Sequence, residues 1–304
     1  MSIEVSQLSK SYGTQKALDN VTFQAKPGQI LGFLGPNGAG KSTTMKIATG
    51  YLAADQGDVM IKGVSVKKHP KVVSRMIGYL PEHNPLYLDM YVPEFLRFIG
   101  GLYGVERRYL ESRVRHVMER CGLLPEGTKK ISQLSKGYRQ RVGLAKALVH
   151  DPDIIILDEP TTGLDPNQLV EIRKLIREIG QEKTLVLSTH IMQEVEAICE
   201  KVVIIHKGQV VAQDLLHHLI TSGKGESLVF ETEETLDHTW FQHLPIREIR
   251  ELSANRFLLV PAPGTQDLRK QVLGLIAEKG LSLVEIKQQS QSLETVFHEL
   301  TQRK

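Results

Sequence analysis

The chain has 304 residues, of which 41% are hydrophobic and 24% charged, and its formal net charge is +3. This is ordinary for one large globular domain, or one large and one small, and the weak charge argues against a nucleic-acid binder. Its two cysteines lie too far apart in sequence to form a disulfide framework. No apolar run approaches the roughly 20 residues that cross a bilayer, so we expect a cytoplasmic protein whose membrane role, if any, is peripheral.

Short apolar segments separated by turn residues mark the first 80 residues. Residues 3–8 alternate like an edge strand, and 21–25 predict a second strand. Residues 29–34 predict a buried strand that runs into a glycine-rich loop, and 42–51 have the composition of a helix. A further short strand is predicted at 76–80.

The character of the chain changes at about residue 83. Residues 83–150 are predicted to be mostly helical, with Pro93 in the first turn of a helix and an apolar stripe on another. The stripe consists of Leu110, Val114, Val117, Met118 and Cys121, and we interpret it as core. Apolar strands then return at 154–157, 185–187 and 202–205, with helices near 166–180 and 191–200. This alternation predicts a parallel sheet covered on both faces.

The last 80 residues differ again. Residues 221–225 have the composition of a linker, which divides the chain into domains 1–220 and 222–304. Strands at 227–231 and 256–260, with helices near 266–279 and 292–301, predict a small C-terminal α+β domain.

Eight consecutive residues fit the phosphate-binding pattern G-x-x-x-x-G-K-[ST] after a strand: Gly35, Pro36, Asn37, Gly38, Ala39, Gly40, Lys41 and Ser42. Glycines let the backbone wrap around phosphates, and N–H groups at a helix start donate to them. Lys41 would reach the β- and γ-phosphates, Ser42 would hold Mg²⁺, and Thr43 would add a donor. The motif predicts a nucleoside triphosphatase and leaves its subtype open.

Two later strands end in polar side chains. Asp158 and Glu159 follow the apolar run 154–157, a position from which Asp158 could hold Mg²⁺ and Glu159 could polarise the attacking water. His190 follows the run 185–189, where we interpret it as a γ-phosphate contact.

A third motif lies in the helical segment, with the sequence Leu134-Ser135-Lys136-Gly137-Tyr138-Arg139-Gln140. Ser135 is a good N-cap for the following helix, and alone that explains it. A capped helix start beside Gly137 is also a site for an anion.

LSKGYRQ resembles the signature motif of ATP-binding-cassette (ABC) proteins, and the other motifs fall in that family's order. GPNGAGKST resembles its Walker A motif, IIILDE its Walker B, Leu164-Asp165 its D-loop, His190 its switch histidine and Tyr12 its adenine-stacking aromatic. The resemblance covers residues 1–215. It implies an α/β P-loop ATPase with a mixed sheet and a helical subdomain at about 83–150.

Two further motifs, Gly78-Tyr79-Leu80-Pro81-Glu82 and Leu293-Glu294-Thr295-Val296-Phe297, are similar to ATPases of the ABC-2 export branch. The likeness is strongest to the gliding-motility-associated ATPase. Glu82 stands where most cassettes have a glutamine. A carboxylate there can still meet Mg²⁺ or orient water.

The resemblance implies ATP and Mg²⁺ as cofactors and a head-to-tail dimer with a second cassette, identical or different. ATP would lie between the loop 35–42 of one subunit and Ser135 and Gly137 of the other. Closure and opening would drive an integral membrane permease, with this subunit peripheral on the cytoplasmic face of the membrane and no nucleic-acid partner. The alternative is a soluble ABC ATPase that acts on nucleic acid or ribosomes.

Overall fold

The structure is a computed structural model that describes residues 1–221, 227–241, 243–262, 265, 267–289 and 292–302. It divides into two compact units, Met1–Asp214 and Leu215–Lys304. The sequence places the domain division a few residues later, at 220–222. Residues 222–225 of the predicted linker lie outside the described residues.

The first unit alternates strands and helices. In chain order its elements are β1 (Ile3–Tyr12), β2 (Gln15–Ala25), β3 (Ile30–Leu34), α1 (Lys41–Ala48), β4 (Gln56–Ile61), β5 (Val64–Ser65), α2 (Pro70–Met76), β6 (Ile77–Leu80), α3 (Val92–Leu102), α4 (Arg107–Arg120), α5 (Lys136–Leu148), β7 (Ile154–Asp158), α6 (Pro166–Gly180), β8 (Thr184–Thr189), α7 (Met192–Ile198), β9 (Lys201–His206) and β10 (Gln209–Leu215).

The larger sheet has the strand order β10-β9-β3-β8-β7-β6, and the pairings from β9 to β6 are parallel. Every residue of β3, β7 and β8 is buried, as a parallel sheet covered on both faces requires. The predicted parallel sheet is therefore confirmed. Because parallel strands end at one edge of a sheet, the residues after β3, β7 and β8 meet there.

The smaller sheet has the order β2-β1-β4-β5. The prediction of an edge strand at 3–8 is wrong, because Ile3 pairs with Ala25 on β2 and with Ile61 on β4. The error follows from overlooking β4, in which only Val59 and Ile61 are buried.

Residues 83–150 contain α3, α4 and α5, as the prediction of a mostly helical segment requires, and the first of these helices begins at Val92. Pro93 lies in the first turn of α3, as predicted. Four of the five stripe residues are buried, and Leu110 is partly buried, so the interpretation of this stripe as core is confirmed.

The second unit is an antiparallel sheet with helices. Its elements are α8 (Leu216–Thr221), β11 (Ser227–Thr232), β12 (Ile246–Ser253), β13 (Arg256–Pro261), α9 (Leu268–Glu278), β14 (Leu283–Gln289) and α10 (Leu293–Gln302). The strand order is β12-β13-β11-β14, and Phe230, Phe241 and Phe257 pack with α9 in one core. The α+β class is as predicted, although β12 and β14 were missed. None of the described helices is both long and apolar enough to cross a bilayer.

Candidate active site

The loop between β3 and α1 is shaped by glycines. Gly38 and Gly40 have φ angles of 79° and 105°, a region that side-chain-bearing residues rarely adopt. A Cβ on Gly40 would lie 2.5 Å from Leu18 Cδ2, and one on Gly35 would lie 2.4 Å from the carbonyl oxygen of Ile205. A Cβ on Gly38 would meet no atom within 4 Å. The loop therefore packs tightly at both ends and is open at Gly38.

Lys41 begins α1, and its ammonium group turns back into the loop. Nζ donates hydrogen bonds to the carbonyl oxygens of Gly35 (2.9 Å) and Pro36 (3.3 Å). It also lies 3.2 Å from Glu159 Oε1, and both side chains are nearly inaccessible to solvent. Ser42 and Thr43 follow in the first turn and are partly exposed.

Asp158, the last residue of β7, is buried between hydroxyl donors and other acids. Ser188 Oγ on the neighbouring strand donates to Asp158 Oδ1 at 2.8 Å. Burial raises the pKa of Asp158, the negative charges of Glu159 and Glu82 raise this pKa further, and hydrogen bonds from Ser188 and Ser42 oppose the rise. Such a carboxylate, next to a serine hydroxyl, is suited to a divalent cation that neutralises its charge.

Glu159 stands just after β7 in a left-handed backbone conformation, with φ of 50°. Its N–H donates to the Ser188 carbonyl at 2.9 Å, which holds this turn. Its Oε2 lies 2.9 Å from His190 Nδ1. Its Oε1 is buried and, among the described residues, receives no hydrogen bond, although Lys41 is near. Oε1 is thus held by the charge of Lys41, and this oxygen can accept a proton from water only when another anion takes its place beside Lys41.

Glu82 and Tyr12 lie at the margins of this group. Glu82 lies in the loop after β6 and lines, with Ser42 and Asp158, a cavity of about 720 Å³. Tyr12 ends β1 with a half-exposed ring, and Lys10 Nζ lies 5.9 Å from the ring centroid.

The residues of the predicted signature motif lie at the start of α5. Ser135 is the N-cap, and its Oγ accepts from the Tyr138 N–H at 3.4 Å, as predicted. Gly137 is buried, and a Cβ there would lie 2.6 Å from Gln168 Cδ on α6. Among the described residues, ion pairs join Lys41 and His190 to Glu159, and a hydrogen bond joins Ser42 to Asp158, but no such contact joins Ser135 or Gly137 to any of these five residues.

Sequence reasoning assigned no individual role to three polar residues near these acids. Ser188 pairs with Asp158 across β7 and β8, and Gln140 Nε2 donates to the Pro160 carbonyl at 2.7 Å. Glu194 on α7 is fully buried and accepts from Thr189 Oγ1 at 2.8 Å. The polar pair Ser188-Thr189 at the end of an otherwise apolar strand was the available signal.

Residues 18–162 match the family model described as ABC transporter. The chain is 38% identical to the ABC transporter ATP-binding protein NatA of Bacillus subtilis (strain 168), over 70% of this chain and 87% of NatA. It is 36% identical to the Nod factor export ATP-binding protein I of Paraburkholderia xenovorans (strain LB400), over 73% of this chain and 74% of that protein. The solved dimeric structure of MJ0796, a bacterial ABC transporter cassette, matches with a TM-score of 0.65 at 25% identity. The match covers 70% of this chain and 98% of MJ0796. With this fold and these similarities, the chain belongs to the ATP-binding proteins of the ABC transporter family and is an ABC-type ATPase.

Proposed function

We propose that this chain is the ATP-binding and ATP-hydrolysing subunit of an ABC-2 type exporter and drives a separate membrane permease. One observation carries the hydrolytic role: the buried Glu159 carboxylate contacts Lys41 through Oε1 and His190 through Oε2, a position from which it can act as a general base once phosphates replace it beside Lys41. Export is supported by the Nod factor export relative. Both named relatives are transporter or export subunits, which favours this function over a soluble ATPase that acts on nucleic acid or ribosomes. The narrower likeness to gliding-motility ATPases stays a prediction.

ATP binding would rearrange the partners of Lys41. Its ammonium group now contacts two loop carbonyls and the Glu159 carboxylate. Phosphates cradled by the loop 35–42 would replace Glu159 as the anionic partner, because they carry more charge and also receive the loop N–H groups. Glu159 would then keep only its contact with His190. In this way binding would prepare the base for an attacking water, while His190 would reach the γ-phosphate.

Mg²⁺ fits the acidic end of β7. Ser42 and Asp158 would hold it, with Glu82 at its margin, and the adenine would stack on Tyr12. The cation supplies neutralisation of the charge that develops on the phosphates. Its charge would also compensate the acids that now raise the pKa of Asp158.

A second cassette would complete the site. Ser135 is exposed at the start of α5, where helix N–H groups and the adjacent glycine suit an anion. In the described part of the chain, neither Ser135 nor Gly137 has a hydrogen bond or ion pair with Lys41 or Glu159. A head-to-tail dimer would place them on the ATP of the partner, so closure would require ATP and hydrolysis would permit opening. The dimeric cassette at 25% identity supports dimer formation, and the head-to-tail arrangement is part of the proposal.

The permease would dock beside the Glu82 loop. The cavity of about 720 Å³ is lined on one side by Glu82 and on another by aromatic and aliphatic side chains of the helical segment. Tyr87 and Leu102 belong to this lining and are 55% and 63% exposed. Phe98 lies outside the lining, is 40% exposed, and has its ring centroid 5.5 Å from that of Tyr87. Exposed apolar clusters of this kind mark interaction sites. Docking there would hold the subunit on the cytoplasmic face of the membrane.

The test is affinity capture of the full chain from detergent-solubilised membranes of its own host. We expect a polytopic membrane protein to co-purify and to change the rate of ATP hydrolysis. The double variant Tyr87→Asp, Phe98→Asp should lose this partner and keep its own ATPase activity. Tyr109→Asp, an exposed tyrosine of α4 outside the cavity lining, is the matched control and should keep the partner. Capture of ribosomes or nucleic acid instead would support the alternative.

A further inference from the structure

Glu194 is a buried carboxylate for which the proposed mechanism has no use. It lies in α7 with 0% of its surface exposed. Its Oε2 accepts from Thr189 Oγ1 at 2.8 Å, and its Oε1 accepts from Thr161 Oγ1. Burying a carboxylate is costly unless hydrogen bonds hold it. Both oxygens are here engaged by neutral hydroxyl groups, so the arrangement is specific for an acceptor with two equivalent oxygens.

The two threonines belong to the segments that carry the candidate base and its histidine. Thr161 comes two residues after Glu159, and its carbonyl accepts the Leu164 N–H at 3.2 Å in the turn that follows. Thr189 immediately precedes His190. Thr189 Oγ1 accepts the N–H of Ile191 at 3.1 Å.

These bonds fix the direction of the hydroxyl groups. Because a carboxylate oxygen accepts, the Thr189 hydroxyl directs its proton to Glu194, and its oxygen accepts the N–H of Ile191. The Glu194 N–H in turn donates to the Ile191 carbonyl at 3.1 Å, which closes a small ring around the residue after His190. Through Thr161 and Thr189, Glu194 therefore links the backbone segment that carries Glu159 to the segment that carries His190.

We propose that Glu194 is a positioning residue for ATP hydrolysis, which keeps His190 on Glu159 by holding Thr161 and Thr189 together. The inference rests on the proposed roles of Glu159 and His190. It predicts that two acceptor oxygens are needed at this position. A glutamine offers one acceptor oxygen and one amide donor, so one of the two threonine hydroxyls must turn and its segment is released.

The experiment measures steady-state ATP hydrolysis by the full chain. Glu194→Gln should lower kcat about 10- to 100-fold while KM for ATP and nucleotide affinity stay unchanged, because a small misplacement of catalytic groups slows the reaction and leaves binding intact. Glu196→Gln changes an exposed carboxylate on the same helix and is the control. We expect it to have the same kcat as the unmodified chain.

A second pair of variants separates positioning from general stability. Thr189→Val should lower kcat as Glu194→Gln does, whereas Thr189→Ser, which keeps the hydroxyl, should retain it. The double variant Glu194→Gln, Thr189→Val should be no slower than either single variant, because both break one linkage. If Glu194→Gln does not fold, the Thr189→Val and Thr189→Ser pair alone decides.

The results that would overturn the role of Glu194 differ from the results that would overturn the proposed ATPase function. Normal kcat in a folded Glu194→Gln chain, additive losses in the double variant, or equal kcat for Thr189→Val and Thr189→Ser would overturn it. In any of these cases Glu159→Gln would still slow turnover by roughly 10²–10⁴-fold if the proposed function holds. Normal turnover of Glu159→Gln would instead remove the proposed role of the base itself.

Discussion

Lys41 and Glu159 form a buried ion pair, with Nζ 3.2 Å from Oε1 and side chains only 6% and 5% exposed. The other oxygen of the same carboxylate lies 2.9 Å from His190 Nδ1. Because both side chains are buried, the contact with Lys41 is weakly screened by solvent and salt, whereas His190 is 41% exposed. A change in the charge of Glu159 should therefore act directly on the two residues proposed to meet the phosphates.

Glu159→Gln keeps the shape of this side chain and removes its charge and basicity. We expect ATP to bind with undiminished affinity, because Lys41 loses a competing anion. Hydrolysis should slow by roughly 10²–10⁴-fold, the usual contribution of a general base. Size-exclusion chromatography with ATP should show an accumulated dimer, whereas near-normal turnover would contradict the assignment.

Gly38 and Gly40 allow a comparison within one loop. Gly38→Ala introduces a Cβ into open space, so it should cost only about 1–2 kcal/mol of folding stability for the positive φ, yet weaken ATP binding where phosphates approach the backbone. Gly40→Ala carries the same backbone penalty and a contact of 2.5 Å with Leu18 Cδ2, so it should lose more stability. Urea unfolding and nucleotide titration measure the two effects. Equal losses of stability in the two variants would show that Leu18 moves away from the new Cβ at position 40 without an energetic cost.

The placement of Asp158, Glu159 and His190 beside Lys41 followed from the sequence for a simple reason. Each lies at or just after the end of a predicted strand, and parallel strands align their ends at one edge of the sheet. The partners of these residues could not be predicted in the same way. Ser188 and Glu194 reach their partners across about 30 residues of chain, and no local pattern specifies such a contact.

The overlooked strands share a different property. β12 has no fully buried residue and β4 has two, so neither shows the strong apolar alternation that marks a strand. Their place is set by pairing with neighbours, which is a tertiary effect that overrides weak local preference. The edge position predicted for β1 was wrong for the same reason, because its second neighbour is β4.

Lys146 on α5 should make stability depend on pH. Its Nζ lies 3.3 Å from Asn84 Oδ1, and burial lowers its pKa from the ordinary value of 10.5 to about 8. Between these two pH values the unfolded chain binds more protons at this site than the folded chain, so its contribution to stability rises with pH. Below pH 8 the full cost of charging the buried amine is present.

Lys146→Met removes that dependence. The variant should gain stability relative to the unmodified chain at pH 7, and the gain should shrink as the pH is raised from 8 to 10.5. Urea unfolding across this window measures the difference. Lys174→Met, at a lysine 79% exposed on α6, is the control and should show a constant difference. A constant difference for Lys146→Met would mean that its amine is charged at no cost in the folded chain.

A mixed dimer tests whether the ATP site is shared. Lys41→Ala disables the phosphate loop, and Gly137→Asp places a carboxylate at the start of α5, where it would repel phosphates. In a dimer of one Lys41→Ala and one Gly137→Asp subunit, both lesions fall in a single site if the subunits face head to tail, and the other site is intact. Some hydrolysis should survive in the mixture, while each variant alone is inactive. If the mixture is as inactive as each variant alone, either the ATP sites are not shared between subunits or both sites must hydrolyse ATP together.

Truncation after Leu215 tests whether the first unit carries the nucleotide site by itself. Every residue proposed to touch ATP or Mg²⁺ lies within Met1–Asp214, which has its own hydrophobic core. The truncated chain should therefore bind ATP with the affinity of the full chain, and capture of the permease can fail independently. Circular dichroism establishes folding, nucleotide titration measures binding, and Lys41→Ala in the truncated chain is the control that should lose ATP affinity. A well-folded truncated chain without ATP binding would show that residues 216–304 form part of the nucleotide site and that the division into a nucleotide-binding domain and an accessory domain is wrong.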